Sequence, residues 1–360
     1  MANDISSTLN VVYADDAIKL LNLSDKISNS THSFNVRSMI CYLLISCSEC
    51  INRNRSKDPV DLFHKAIITA LTFLKHAKEI EDLPFLQPMT HQQKEVGDAA
   101  SNRYNALFSI EAADTYISEP LELLRQRFER NDFPISSFPS WKALESGCGN
   151  GRYAVALRGL GMGQVVGVDV NSECITGARQ RANASGIDKV EYRVEDAVAT
   201  EFPNGHFDFV FSNGVCERVD EPIKYVAELL RVLKPGGAGF FNTRAKNVGV
   251  HHDCLSLVKL LTAGHELAEA CNALCGFGLP PSMVYHYQND VADKTRYSFS
   301  AEECVELLSN AGAVNIRRCE RGADTDPVEE IYRGEPYARE IFGDGDNRFY
   351  FEKSLSLNPV

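Results

Sequence analysis

Leu144-Glu145-Ser146-Gly147-Cys148-Gly149-Asn150-Gly151-Arg152 sets three glycines at alternate positions, behind an apolar run and directly ahead of a helix-forming segment. Glycine is the residue for a turn that needs positive φ or that brings backbone against a ligand, because any Cβ would clash or strain. The helix that begins at about Tyr153 turns its unpaired N–H groups towards the same spot. The stretch therefore reads as a nucleotide-type site. Spacing narrows the nucleotide: a dinucleotide fingerprint, G-x-G-x-x-G counted from Gly147, requires glycine at 152, where the chain has Arg152. What stands there is E-x-G-x-G-x-G.

Four further features follow in order. Gln164 to Val170 is a short β-branched run ending in Asp169 and Val170. Val190 to Val194 reads as a third strand, followed by Glu195-Asp196-Ala197. Phe207 to Asn213 reads as a fourth strand with its exit, and Leu233-Lys234-Pro235-Gly236-Gly237 as the turn before a fifth. Taken singly, each has a plain structural use. Asp169 would be a solvated strand end, Asp196 a helix N-cap and Pro235-Gly236-Gly237 a tight turn.

Taken together, from about 136 to 245 and more loosely from 297 to 353, the chain resembles the class I S-adenosylmethionine-dependent methyltransferases. The resemblance implies that S-adenosyl-L-methionine is the cofactor and S-adenosyl-L-homocysteine the product. It implies cofactor-binding roles for Glu145, Gly147, Gly149, Gly151, Asp169, Val170, Asp196, Ala197 and Asn213. In this family the acid at the position of Asp169 accepts the ribose hydroxyls. The Asp196-Ala197 step meets the adenine through an acid and a backbone N–H. Asn213 either lines the methionine end through its carbonyl or simply ends strand four.

The pattern of elements predicts an α/β fold, a doubly wound Rossmann-like sheet of seven strands. The strands fall at about 141–145, 165–169, 190–194, 207–212, 239–243, 314–319 and 349–352, and the resemblance implies an antiparallel last strand. Before them, 15–27, 30–52 and 58–82 carry apolar residues at helical spacing, the third opening on Asp58-Pro59. Residues 1–95 thus read as a helical N-terminal domain, with 83–97 as the linker. A helix at about 119–130 leads into the methyltransferase domain, 96–360. An insertion at about 244–296, with one helix at about 254–274, separates strands five and six. In the family such additions cover the cofactor and shape the acceptor pocket.

Composition sets limits on partners. The chain has 360 residues, 44% of them hydrophobic, enough for a sizeable core. Eleven scattered cysteines, an odd number, suit free thiols in a reducing, cytoplasmic setting better than a disulfide framework. No membrane partner is expected, because the apolar stretch Met39 to Cys47 is about half of a span and the start lacks a secretory pattern. The formal charge is −12, and residues beyond 95 hold 27 Lys+Arg against 38 Asp+Glu. A nucleic-acid partner needs a basic groove that this chain does not encode. Nine carboxylates fall between Glu320 and Asp346, reading as a solvated face or as a guide for a cationic acceptor. No metal site is expected, since Cys47-Ser48-Glu49-Cys50 sits in an apolar helical stretch without a second pair at zinc spacing.

A sulfonium-bound methyl is already activated, so the protein's task is alignment and exclusion of water. A phenol, carboxylate or neutral amine needs little else; a hydroxyl or ammonium needs a base. His251 and His252 are the candidate catalytic residues, with Tyr285-His286-Tyr287 in the same insertion. Val215-Cys216-Glu217-Arg218-Val219 occupies the place of a Glu-His pair in many small-molecule methyltransferases, and an arginine is no base at neutral pH. The expected activity is methylation of N or O on a small-molecule acceptor. Two alternatives stand beside it: a peptide acceptor docked through the N-terminal helices, and a cofactor-binding module without turnover. The helical prefix is a lid, a docking surface or the contact of a homodimer.

Overall fold

A computed structural model describes residues 9–26, 31–77, 115–246, 249–265, 267–280, 284, 297–324, 326, 330–331 and 333–355. The linker at 83–97 and Tyr285-His286-Tyr287 lie outside them. The chain divides into two compact units.

One unit comprises Met1–Val96, Val248–Asp293 and Gly334–Gly343. Its helices are α1 (Ala14–Ser24), α2 (Thr31–Arg53), α3 (Pro59–Ala77), α8 (Val250–Leu261), α9 (Leu267–Gly276) and α11 (Pro336–Phe342). The apolar stripes of α1 to α3 meet one another and α8. Leu20, Ile40, Leu44, Phe63, Ile67, Leu74, Cys254, Leu257, Leu261 and Ile341 share a single buried cluster. The unit is therefore discontinuous in sequence: the segment after strand five and a short helix near the end complete the core that the prefix begins. Where the pattern predicts one helix over 254–274, the chain forms two, broken at Thr262-Ala263-Gly264 with Gly264 at φ +85°.

By length and composition Phe34–Arg53 is apolar enough to cross a membrane, contrary to the reading based on Met39 to Cys47 alone. In the fold 56% of that stretch is buried within the protein, where Val36, Ile40, Cys41, Leu44 and Ile45 supply core.

The second unit comprises Gly97–Asn247, Lys294–Arg333 and Asp344–Val360. It holds α4 (Thr115–Arg130), a 3-10 turn at Ile135–Ser140, β1 (Lys142–Ser146), α5 (Arg152–Gly159), β2 (Gln164–Asp169) and α6 (Ser172–Ala184). It continues with β3 (Val190–Val194), β4 (Phe207–Asn213), α7 (Pro222–Val232), β5 (Leu233–Arg244), α10 (Ala301–Asn310), β6 (Ala313–Arg318) and β7 (Asp346–Lys353). The strands form one seven-stranded sheet in the order β3-β2-β1-β4-β5-β7-β6. All neighbours are parallel except β7, which runs antiparallel between β5 and β6.

Alternation along the strands builds a layer on each face. Ala143, Val165, Phe209, Phe211, Phe240 and Tyr350 pack with Phe128 of α4 and the apolar side of α5. Leu144, Val166, Val168, Val210, Phe241 and Phe351 pack with Tyr225 and Leu229 of α7 and Leu308 of α10. Central strands are buried on both faces, which is why they read as apolar runs, whereas edge strand β3 buries only Tyr192. The Pro235-Gly236-Gly237 segment is not a turn ahead of β5. It belongs to the strand as an irregularity, with Phe207 pairing Leu233 and Phe209 pairing Ala238, and Gly236 at φ +75°.

The acidic run from 320 to 346 is used in part for structure. Asp326, 8% exposed, takes two bonds of 2.6 Å from Arg127 of α4 and one of 2.9 Å from Arg348 of β7. Asp324 pairs with Arg130 at 2.5 Å. Although burial opposes ionisation, the two guanidiniums hold the Asp326 carboxyl well below the usual carboxylate range. Its stabilisation is therefore present above the unfolded value near 3.8 and is lost as pH falls below it. Removing one member of such a buried cluster leaves uncompensated charge, so Asp326→Ala costs about 3–5 kcal/mol in urea unfolding at pH 7. The same variant shows a shallower loss of stability in acid.

Asp253 of α8 poses the reverse case in the first unit. Its Oδ2 accepts the Tyr13 hydroxyl at 2.5 Å and the Asn10 N–H at 3.1 Å, while Oδ1 has no hydrogen-bond partner among the described residues. Burial pushes its carboxyl up to about 6, from an ordinary 3.8. The folded state thus favours the proton, and stability from this group is complete below about pH 3.8 and declines as pH rises through about 6. Asp253→Asn, which keeps an acceptor for Tyr13, removes this decline. Thermal melts at pH 4.5 and 7 are the check.

Candidate functional site

β1 enters the site with Glu145 paired to Gly167 of β2 and Phe211 of β4, so its side chain is buried at the centre of the sheet. The Ala154 N–H in the first turn of α5 lies close enough to favour the ionised form of this carboxyl. Its Oε2 has no hydrogen-bond partner among the described residues, and burial raises its pKa well above the ordinary value.

Beyond Ser146 the backbone turns through Gly147, Gly149 and Gly151 at φ +70°, +50° and +81°. These are left-handed conformations that cost an ordinary residue roughly 1–2 kcal/mol. The three glycines differ in what surrounds them. A Cβ on Gly147 would lie 2.4 Å from Val215, and one on Gly151 would lie 2.5 Å from the Tyr192 ring. A Cβ on Gly149 would meet nothing within 4 Å. Gly147 and Gly151 are thus required by the protein's own packing, whereas Gly149 borders open space.

Asp169, at the tip of β2, ties down this bend. Its Oδ2 accepts the Gly149 N–H at 2.9 Å and its Oδ1 the Asn171 N–H at 2.9 Å. Each oxygen keeps a further lone pair, which suits it to a diol. Val170 beside it is 68% exposed, an apolar surface at the strand tip. Asp196 is exposed and its Oδ1 accepts the Val198 N–H at 2.9 Å, while Ala197 is buried behind it. Asn213 is the last residue of β4, and its Oδ1 accepts from Asn242 of β5 at 2.7 Å.

The carboxyl ends of β1, β2, β3 and β4 therefore bring together Glu145, the three glycines, Asp169, Val170, Asp196, Ala197 and Asn213 in one unit. The strand order reverses between β1 and β4, the place where open α/β sheets hold ligands. His251 and His252 lie on α8, in the other unit. His251 packs its ring 6.1 Å from that of Phe342, and His252 lies 3.5 Å from the Ser256 hydroxyl. Among the described residues no group of three or more His, Cys, Asp and Glu could hold a metal ion. All eleven cysteines are free thiols.

Sequence reasoning misses Tyr192. Its hydroxyl donates to the Gly151 carbonyl at 2.8 Å, and its ring fills the space beside Gly151 and Gly167. The signal was Gly167, a glycine inside a β-branched strand, which marks a close approach by another group. It missed as well that Glu217, 4% exposed, would be buried while Arg218 is exposed.

Residues 144–241 match the family described as methyltransferase domain. Over that stretch the chain carries a methyltransferase domain. It is 34% identical over 120 residues to a ubiquinone biosynthesis O-methyltransferase of Roseobacter denitrificans, covering 33% of this chain and 48% of that protein. A protein of the same description from Thiobacillus denitrificans is 37% identical over 139 residues, covering 36% and 57%. The chain thus spans about half the length of the curated relatives it matches. A solved S-adenosylmethionine-dependent methyltransferase from Aquifex aeolicus superposes with a TM-score of 0.41 at 17% identity, over 71% of this chain and 98% of that one.

The bend fits the cofactor of the methyltransferase domain. Open backbone at Gly149 admits a closely approaching ligand. Asp169 offers acceptor lone pairs to a ribose diol, and the partnerless acceptor atom of Glu145 at the end of β1 matches a ligand that brings donors. Gly149→Ala should cost roughly 1 kcal/mol of stability for its φ yet reduce affinity for S-adenosylhomocysteine at least about tenfold. Gly151→Ala should cost more, because Tyr192 must move. Calorimetric titration beside urea unfolding separates the two effects.

Proposed function

We propose that this protein transfers the methyl group of S-adenosylmethionine to an oxygen atom of a small hydroxylated acceptor. What carries the reading is the glycine bend held by the Asp169 carboxylate at the switch point of a methyltransferase domain. The relatives' description as O-methyltransferases favours oxygen over nitrogen. The acceptor atoms without partners among the described residues near the ends of β1, β5 and the β4 exit, Glu145 Oε2, Asn242 Oδ1 and Glu217 Oε2, suit ligands that bring hydrogen-bond donors.

When bound, the cofactor supplies a methyl group already activated on a sulfonium. The residues of this chain then bind and orient. Asp169 fixes the ribose and the shape of the bend together. Gly149 lets the nucleoside approach, Val170 offers an apolar edge for the adenine, and the Asp196-Ala197 step meets it through an acid and a backbone N–H. Asn213 and Asn242, joined at 2.7 Å, form the rim across β4 and β5. Burial of the polar groups at these strand ends keeps water away, which strengthens each interaction made there.

Incubation with methyl-labelled S-adenosylmethionine and a panel of phenols and aliphatic alcohols tests the reading. Label should appear in an O-methyl product together with S-adenosylhomocysteine. Asp169→Ala should weaken cofactor binding about 10–100-fold, the range for hydrogen bonds to a charged group. Cofactor binding without transfer to any acceptor would favour a binding module instead.

A further inference from the structure

We propose that Glu217 is the group that receives the proton of the acceptor's hydroxyl. This rests on the O-methylation proposed above. Glu217 follows the exit of β4 by four residues, and Val215, between them, packs against Gly147 of the cofactor bend. The carboxylate lies at the Gly214 turn, its Oε1 3.6 Å from where a Cβ on that glycine would be. It is 4% exposed, and its Oε2 has no hydrogen-bond partner among the described residues.

A buried carboxylate oxygen without a donor costs stability unless something else brings one. Burial raises its pKa; its own backbone N–H, the charges of Arg218 and Arg244 and the neighbouring Thr243 hydroxyl favour ionisation but are outweighed. Thr243 Oγ1 beside it is itself buried without a hydrogen-bond partner of ordinary geometry among the described residues, so the carboxylate and this hydroxyl stand close with no well-formed bond between them. Such a shift makes a carboxylate a better proton acceptor near neutrality. Cys216, Tyr225 and Cys304 lie close enough to feel its charge, and burial pushes all three thiol or phenol groups upwards. Tyr225 is already engaged with Ser212 at 2.8 Å. Arg218 has no basic lone pair to offer at neutral pH. On β5, Asn242 Oδ1 is a second buried acceptor atom without a partner among the described residues, next in sequence to Thr243.

The step balances without further reagents. The hydroxyl proton moves to Glu217 Oε2, and the acceptor oxygen's electron pair forms the new O–C bond. The methyl carbon's bond to sulfur breaks, with its pair left on sulfur as S-adenosylhomocysteine. Asn242 and Thr243 act only in positioning.

Binding, not turnover, is the decisive readout. With S-adenosylhomocysteine bound, 4-fluorophenol is titrated against the full chain and followed by fluorine NMR, beside 4-fluoroanisole, which lacks the hydroxyl. Glu217→Gln should keep its affinity for S-adenosylhomocysteine within about twofold and lose at least about tenfold for 4-fluorophenol, with the anisole unaffected. Glu217→Asp, a smaller disturbance of the core, should fall between and serves if the glutamine variant does not fold. Equal affinity of the parent and Glu217→Gln proteins for 4-fluorophenol would overturn the assignment, as would failure of the parent to bind it. Failure of the unaltered chain to bind S-adenosylhomocysteine would instead sink the proposed function, and this assignment with it.

Discussion

The bond from the Gly149 N–H to the Asp169 carboxylate, 2.9 Å long, is the constraint around which the candidate site is arranged. It joins the turn after β1 to the tip of β2 and so fixes a left-handed bend that would otherwise be a flexible glycine loop. With the bend fixed, Gly151 becomes the N-cap of α5, and that helix's first turn brings the Ala154 N–H towards the Glu145 carboxyl. One acidic side chain thus sets the loop and remains available to a diol. The economy has a structural cost, since two further contacts must hold the bend from outside, Val215 on Gly147 and Tyr192 on Gly151.

The sheet supplies the rigidity this needs. Strands β1, β2 and β4 are buried on both faces, and the two apolar layers draw on residues from Phe128 to Phe351. The cluster of Asp326 with Arg127 and Arg348 joins α4 to β7 by charge, where two arginines in an apolar setting would otherwise be costly. Part of the acidic segment is therefore spent on internal ion pairs, which weakens its reading as a guide for cationic acceptors.

The other unit raises a different point. Residues 1–95 do not close a core by themselves. Val250, Leu257, Leu261 and Ile341, separated from them by well over a hundred residues, complete the cluster around Ile40 and Phe63. Any function of the prefix belongs to the assembled helices rather than to a detachable domain. The stretch Phe34–Arg53 shows the same principle: an apolar helix long enough for a membrane is here used to line a protein core.

The chain's local pattern was enough to give the fold class, the seven strands and the place of the bend, because strand alternation, helix periodicity and glycine spacing are properties of neighbouring residues. The places of Asp169, Asp196 and Asn213 were legible for the same reason, Asp169 and Asn213 ending β2 and β4 and Asp196 standing two residues beyond β3. Tertiary structure alone decided that Tyr192 closes on Gly151, that 248–293 joins the N-terminal helices, that one expected helix breaks at Gly264, and that Glu217 is buried with an oxygen left over. Those outcomes depend on burial, which acts without regard to direction or to separation along the chain, so no local stretch of residues records them.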